Sequence, residues 1–215
     1  MIWQRLSLEW QYCIEGAWAA YCHGSLPHGA VVVDAQGNIV ARGRNRIREQ
    51  TTEGRQLAGN RLAHAEMNAL LELDWRAVNV YGCKLYSTIQ PCPMCIGAVR
   101  MAHMQEVHYA GRDNGAGATS LIDKTPFFES GNIRVFGSED PELEILLMAI
   151  QVEATFSQSH PNAAEWVELM SSGVSLGAKL GTELFATGLL QQWKEEKKEA
   201  AFVLDQLHEQ PLHLS

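Results

Sequence analysis

The stretch CKLYSTIQPCPMCIGAVRMAHM, Cys83–Met104, changes its periodicity at Gln90. Its first seven residues form a short β-rich run. The residues after Pro91 or Pro93 have the pattern of a helix with a proline in its first turn, where a missing N–H costs nothing. A strand feeding a helix is the building unit of an α/β fold, and the chain carries more of the same. Leu6, Trp10, Cys13, Ile14, Ala17, Trp18 and Tyr21 recur at spacings of three and four and predict a helix over Leu6–Cys22. HGSLPHG breaks it. AVVVDAQGNIVARG, Ala30–Gly43, has two apolar runs around Asp34, Gln36, Gly37 and Asn38 and predicts a β-hairpin. A polar loop runs to Asn60, the expected N-cap of a helix over Arg61–Leu73. EVHYAG and IRVFG predict two more strands, separated by the glycine-rich loop Gly111–Asn132, and DPELEILLMAI opens another helix. This alternation implies a sheet with helices on its faces. Beyond Pro161 the apolar residues Trp166, Leu169, Met170, Leu176, Leu180, Leu184, Leu189 and Trp193 return near helical spacing, with Phe202, Val203 and Leu207 continuing the face. Residues 1–150 are expected to form one domain and 151–215 a helical C-terminal extension.

The chain has 215 residues, 46% of them hydrophobic and 20% charged, enough for a real core and unlike a disordered chain. No uninterrupted apolar window of about 18 residues occurs, so no membrane span is expected. The first residues lack the basic-then-apolar pattern of a signal peptide. Five cysteines, an odd number, do not suit a secreted disulfide framework, and a reducing cytoplasm is expected. The net charge of −8 is unevenly spread. Residues 1–138 hold 13 Lys and Arg against 12 Asp and Glu, a balance of +1; residues 139–215 hold 4 against 13, a balance of −9. An acidic tail repels a phosphate backbone. Against it stands the run Arg42, Arg44, Arg46, Arg48, Arg55 and Arg61, either a solvated strand edge and loop or a local phosphate contact.

Cys92 and Cys95 sit three apart at the expected start of a helix, where free N–H groups and the helix dipole favour thiolates. In the cytosol such a pair is a redox dithiol or half of a zinc site. His64 brings the donor set to three, and a catalytic zinc takes three protein ligands and leaves one position open. Glu66 lies two residues beyond His64. That spacing does not share a helix face, but at the first turn His64 can reach past the helix end while Glu66 points at the open position. His64-x-Glu66 alone is an ordinary helix start. Followed by Pro91-Cys92-x-x-Cys95, it matches the signature of zinc deaminases. Cys13, Cys22 and Cys83 fit packing positions. His103 and His108 fit a helix end and a strand, and the tryptophans fit core or interface.

HAEMNAL with STIQPCPMCIGAVRMA resembles the cytidine deaminase superfamily, and in detail its branch of guanine deaminases, tRNA adenosine deaminases and related nucleoside deaminases. LPHGAVVVDAQGNIVARGRNR and GAGATSLID resemble further motifs of that branch, so the resemblance covers roughly residues 5–150. It implies a three-layer α/β/α sandwich with a central mixed sheet of about five strands. It implies Zn²⁺ held by His64, Cys92 and Cys95, with Glu66 as proton shuttle. Asn45 would hydrogen-bond the base or sugar, the Gly29–Ala30 backbone would border the pocket, and the backbones of Ala65 and Gln90 would lie near the reacting amine. The chain departs from the pattern at Gln90, where the branch has Glu, and at His28, where it has an apolar residue; His28 is either a rim residue or a substrate contact.

The implied reaction is hydrolytic: zinc lowers the pKa of bound water to about 7, and hydroxide displaces an amine as ammonia. The reading adopted is a deaminase of a free base, nucleoside or nucleotide, with a purine preferred. The alternatives are adenosine-to-inosine editing of tRNA and a cytosine-type deaminase. A structural zinc or redox protein is a further class, but a structural zinc site is normally closed by a fourth protein ligand, and none is evident. The expected partners are a small-molecule substrate and a second copy of the chain, for which the apolar stripe Leu176–Trp193 would be exposed; no membrane partner is expected.

Overall fold

The computed structural model describes residues 1–52, 54–158 and 161–210; of the expected C-terminal extension, residues 159–160 and 211–215 lie outside the described residues. In chain order the elements are α1 (Leu8–Cys22), β1 (Gly29–Val33), β2 (Ile39–Arg44), α2 (Ala65–Glu72), β3 (Lys84–Ile89), α3 (Pro93–Met101), β4 (Glu106–Gly111), α4 (Pro126–Glu129), β5 (Arg134–Phe136) and α5 (Pro141–Ser157), followed by α6 (Ala163–Met170), α7 (Ser175–Thr187), α8 (Leu189–Glu195) and α9 (Ala200–Glu209). The five strands form one mixed sheet in the order β2-β1-β3-β4-β5. β1 is antiparallel to both its neighbours, while β3, β4 and β5 run parallel. The hairpin forms where expected, with Asp34 Oδ1 accepting from the amides of Gln36 and Asn38 and Gly37 at φ +88°.

Alternation along the strands divides the core. Ala30, Val32, Ala41, Leu85 and Val107 face α2 and α3, meeting Ala65, Ala69, Leu70, Ile96 and Val99. Val31 and Val33 face the other way, with Cys13 of α1. α1 and α5 cover that second face, which completes the three-layer α/β/α sandwich. Helix α2 lies directly on β2 at Gly43, where a Cβ would fall 2.2 Å from the Ala69 nitrogen.

Three boundaries differ from the sequence expectation. α2 does not begin at Arg61. Asn60 caps a turn instead, its Oδ1 accepting from Leu62 N–H at 2.8 Å, and the Ala63 carbonyl is drawn away to Arg46 N–H at 2.9 Å. The helix starts at Ala65 with His64 as its N-cap in extended conformation. α1 starts at Leu8, after a short 3₁₀ turn at Trp3–Arg5. The loop Gly111–Asn132 holds a 3₁₀ turn at Thr119–Asp123 and the short α4.

The stripe expected to be exposed is not. Leu180, Leu184, Leu190 and Trp193 are buried within the chain, in one cluster with Ile14, Trp18 and Tyr21 of α1, Leu146 and Ile150 of α5, and Val203, Leu204 and Leu207 of α9. α7 lies close on α5 because Gly177 and Gly181 leave room: a Cβ on either would come within 2.8 Å of α5. Residues 150 and 151, the expected domain boundary, are consecutive inside α5, whose two halves pack into the same core.

Candidate metal centre and active site

Two helix starts meet at the end of β3. His64 caps α2, and Cys92 caps α3 with Pro93 at its first position. Both caps are extended, so their side chains project past the helix ends towards each other, and the unpaired amides of both helices favour negative charge there. Cys92 Sγ lies 3.7 Å from His64 Nδ1, Cys95 Sγ lies 3.6 Å from the same nitrogen, and the two sulfurs are 3.6 Å apart. A tetrahedral zinc at about 2.3 Å from sulfur and about 2.0 Å from nitrogen separates its donors by roughly 3.5–3.8 Å. The three donors therefore fit a zinc ion, and they form the group able to hold a metal among the described residues.

Glu66 lies in the first turn of α2 and is 3% exposed. Its Oε1 accepts from Ser87 Oγ at 3.0 Å, and its Oε2 is 3.4 Å from Cys95 Sγ. Burial pushes its carboxyl above the usual range, against the pull of its own backbone amide, His64 and Ser87. A buried carboxyl whose pKa is raised suits proton transfer. The Cys92 thiol is pushed down to about 4, first by its hydrogen bond with Cys95 and further by His64, with burial opposing. Cys95 moves upward, because of its hydrogen bond with Cys92 and its burial. His64 is raised, chiefly by its hydrogen bond with Cys92.

The remaining candidates lie nearby with different partners. Asn45 is fully buried, its Oδ1 accepting from Ile47 N–H at 3.2 Å, while its Nδ2 has no partner among the described residues. A buried donor without an acceptor is costly unless a ligand or water fills the place. Asn45 N–H donates to the His28 carbonyl at 2.9 Å. His28 pairs its Nε2 with Gln151 Oε1 of α5 at 2.6 Å, and its pKa is pushed down to about 4 by burial and then by the charge of His64. Gln90 donates to Thr119 Oγ1 at 2.6 Å. Gly29 is placed by helix packing: a Cβ on it would fall 2.0 Å from the Cys13 carbonyl oxygen of α1. Ala30 and Ala65 are both in the core between sheet and α2.

Ser87, Thr88 and Asn68 escaped the sequence reading. Ser87 had one signal: with Leu85 and Ile89 it occupies one face of β3, a polar residue at an inward position. Thr88 Oγ1 accepts from Gly29 N–H at 3.1 Å. Asn68 Nδ2 donates to the Arg44 and Leu57 carbonyls at 2.9 and 3.1 Å, tying the loop before His64 to α2. Of the arginine run only Arg44 and Arg46 are drawn into the fold, while Arg42, Arg48, Arg55 and Arg61 are exposed. Arg44 and Arg46 pair with Glu49, Arg42 stacks 3.3 Å over the Tyr12 ring, Arg48 reaches the Gln158 carbonyl and Arg55 the Leu73 carbonyl.

One histidine and two cysteines at paired helix starts, beside a carboxyl that is not one of them, match the donor set of the zinc deaminases. Residues 6–111, just under half of the chain, match the family described as cytidine and deoxycytidylate deaminase zinc-binding region. Among curated relatives, the chain is 40% identical over 95 residues to a tRNA(Ile)-lysidine synthase of Deinococcus radiodurans, covering 43% of this chain and 15% of the relative. It is 38% identical over 104 residues to the tRNA-specific adenosine deaminase of Bacillus subtilis, covering 46% of this chain and 57% of the relative. It is 35% identical over 103 residues to the guanine deaminase of the same organism, covering 45% and 58%. The chain thus spans little more than half the length of those deaminases. The fold matches a solved tRNA:A34 deaminase with TM-score 0.50 at 24% identity, over 60% of this chain and 95% of that one. No described helix is long and apolar enough to cross a membrane.

Proposed function

We propose that this chain is a zinc-dependent hydrolytic deaminase that removes an exocyclic amine from a purine base, nucleoside or nucleotide. The observation that carries this reading is the 3.6–3.7 Å spacing of three donors beside a buried carboxyl that is not one of them. When bound by His64, Cys92 and Cys95, zinc supplies the Lewis acidity that makes water a nucleophile near neutral pH. The chain's own residues do the rest. Glu66 takes a proton and delivers it to the ring nitrogen, then takes a second and delivers it to the leaving amine. Ser87 fixes the Glu66 carboxyl in orientation. Asn45 Nδ2 donates to the base or sugar. His28, held by Gln151, gives the pocket a polar wall, and the backbones of Ala65 and Gln90 lie beside the reacting amine.

A second reading, adenosine deamination in tRNA, is favoured by the 38% identity with a tRNA-specific adenosine deaminase. It is opposed by the −9 balance of residues 139–215, while of the arginine run Arg44 and Arg46 pair with Glu49 and Arg42, Arg48, Arg55 and Arg61 are exposed. We also assign the chain to the cytoplasm, which suits five free cysteines, and to a homodimer, which suits the exposed Trp75, Tyr81 and Met101 around α2 and α3. An ammonia-release screen of the zinc-loaded chain over bases, nucleosides, nucleotides and tRNA tests the substrate. Release from a small purine compound is expected; release from tRNA alone, with steeply salt-dependent binding, replaces the first reading by the second.

A further inference from the structure

Beyond β4 the chain doubles back over the turn that carries Cys92. Ala118 N–H donates to the Pro91 carbonyl at 2.9 Å, Gln90 Nε2 to Thr119 Oγ1 at 2.6 Å, and Asp113 N–H to Gln90 Oε1 at 3.3 Å. The loop is closed on itself by Asp113, whose Oδ1 accepts from Gly115 and Ala116 N–H at 2.9 Å each and whose carbonyl accepts from Gly117 N–H at 2.8 Å. Gly117 lies so near Gln90 that a Cβ on it would fall 2.4 Å from Gln90 Oε1. Residues 113–119 thus grip Gln90 and Pro91, the two residues immediately before Cys92.

The outer side of this loop is held by the C-terminal helices. Asn114 N–H donates to the Met170 carbonyl at 3.2 Å, and Asn114 Nδ2 donates to the Ser172 carbonyl at 2.7 Å and to Ser172 Oγ at 3.1 Å. The Trp166 ring closes on Gly115, where a Cβ would meet it at 3.1 Å. Met170 is itself anchored in a cluster with Val167, Val174 and the α5 residues Met148 and Val152. The loop overlaps GAGATSLID, a stretch that resembles the deaminase branch, whereas the clamp from α6 lies beyond both that stretch and the matched residues 6–111.

We propose that the C-terminal helices are a working part of the site: the end of α6 and the turn after it position loop 113–119, and the loop holds the Gln90–Pro91 backbone so that Cys92 keeps its place against His64 and Cys95. Asn114 and Ser172 are positioning residues, acting through Gln90. The inference rests on the reading of His64, Cys92 and Cys95 as zinc ligands. Partners that hold a ligand in place change metal affinity by about 10–100-fold when removed.

The test is zinc transfer from the full-length loaded chain to a chelating dye, with zinc content and melting temperature measured alongside. Asn114→Ala is expected to keep one zinc per chain, because the three donors are intact, and to release it about tenfold faster, at the low end of that range. Gln90→Ala is expected to do the same, and the double variant to release no faster than the faster single one, because both cut one line of support. Val203→Ala, a core change in α9 away from loop and site, is the stability control and is expected to release at the parental rate. Parental release from Asn114→Ala, multiplying effects in the double variant, or an equal acceleration by Val203→Ala overturns the clamp. A parental chain that takes up no zinc overturns the site reading itself, and the clamp with it.

Discussion

Ser87 donates its hydroxyl to the carboxyl of Glu66 at 3.0 Å, joining the middle of β3 to the first turn of α2. Burial raises the Glu66 pKa, and this bond restrains the rise. Ser87→Ala removes the restraint, so the carboxyl stays protonated to higher pH. If Glu66 must begin as the base, the acid limb of the kcat/KM profile moves to higher pH in Ser87→Ala. An unmoved limb assigns that limb to another group. Glu66→Gln is expected to keep its zinc and lose at least about 10²-fold in kcat.

Asn45 Nδ2 is a buried donor without an acceptor among the described residues. Asn45→Ala should raise KM with a smaller effect on kcat, since a hydrogen bond made alike to substrate and transition state is lost; about 1–2 kcal/mol, or roughly 5–30-fold, is expected. The variant is expected to fold, because among the described residues the Asn45 side chain makes one bond, the local one to Ile47. Steady-state kinetics on the best substrate of the screen decides it, and an unchanged KM removes Asn45 from the binding set.

Gly43 lets α2 sit on β2, and α2 carries His64 and Glu66. A Cβ at this position meets backbone atoms of Ala65, Asn68 and Ala69 at 2.2–2.7 Å, none of which can swing aside as a side chain does. Gly43→Ala should destabilise by about 3 kcal/mol or more, at the top of the range for overpacking. Denaturant unfolding measures this, and a loss under about 1 kcal/mol would show that α2 can lift from the sheet freely.

Glu144 anchors α5 to the end of β4, accepting from Arg112 N–H, Nε and Nη2 at 3.0, 2.8 and 2.9 Å. Burial opposes its ionisation, but the Arg112 bonds outweigh it and hold its pKa below the usual carboxylate range. A depressed carboxylate pKa contributes stability above the unfolded value and loses it as pH falls through the folded one. Glu144→Gln should therefore cost about 1–2 kcal/mol at pH 7, with the half-exposed arginine limiting the figure, and the difference from the parent should shrink as pH falls below the unfolded carboxylate value. A difference independent of pH would show a packing effect and no charge effect.

The order of strands and helices was legible because most of the chain follows simple periods. β3 and α3 switch from period 2 to period 3.6 at a proline pair, and β1 with β2 flanks an Asp-x-x-Gly-Asn turn. The donor set was legible because a His-x-Glu helix start is joined by a Pro-Cys-x-x-Cys helix start further along, His64 and Cys92 standing at the caps and Cys95 in the first turn of α3. What stayed hidden depends on contacts between distant segments. Asn60 reads as a helix cap, yet Arg46 draws the Ala63 carbonyl aside and delays the helix to Ala65. Leu184 and Trp193 read as a free apolar stripe, yet α7 and α8 turn it onto α1 and α5. Asn114 and Ser172 lie 58 positions apart, and no local pattern announces their bond.

The most direct measurement of the central claim is ammonia release by the zinc-loaded chain, compared with its Glu66→Gln variant at equal zinc content. The account predicts turnover of at least one purine base, nucleoside or nucleotide by the parent, and a loss of at least about 10²-fold in the variant. Equal rates for parent and variant, or no release from any nucleobase compound or tRNA by a chain holding one zinc, would contradict it.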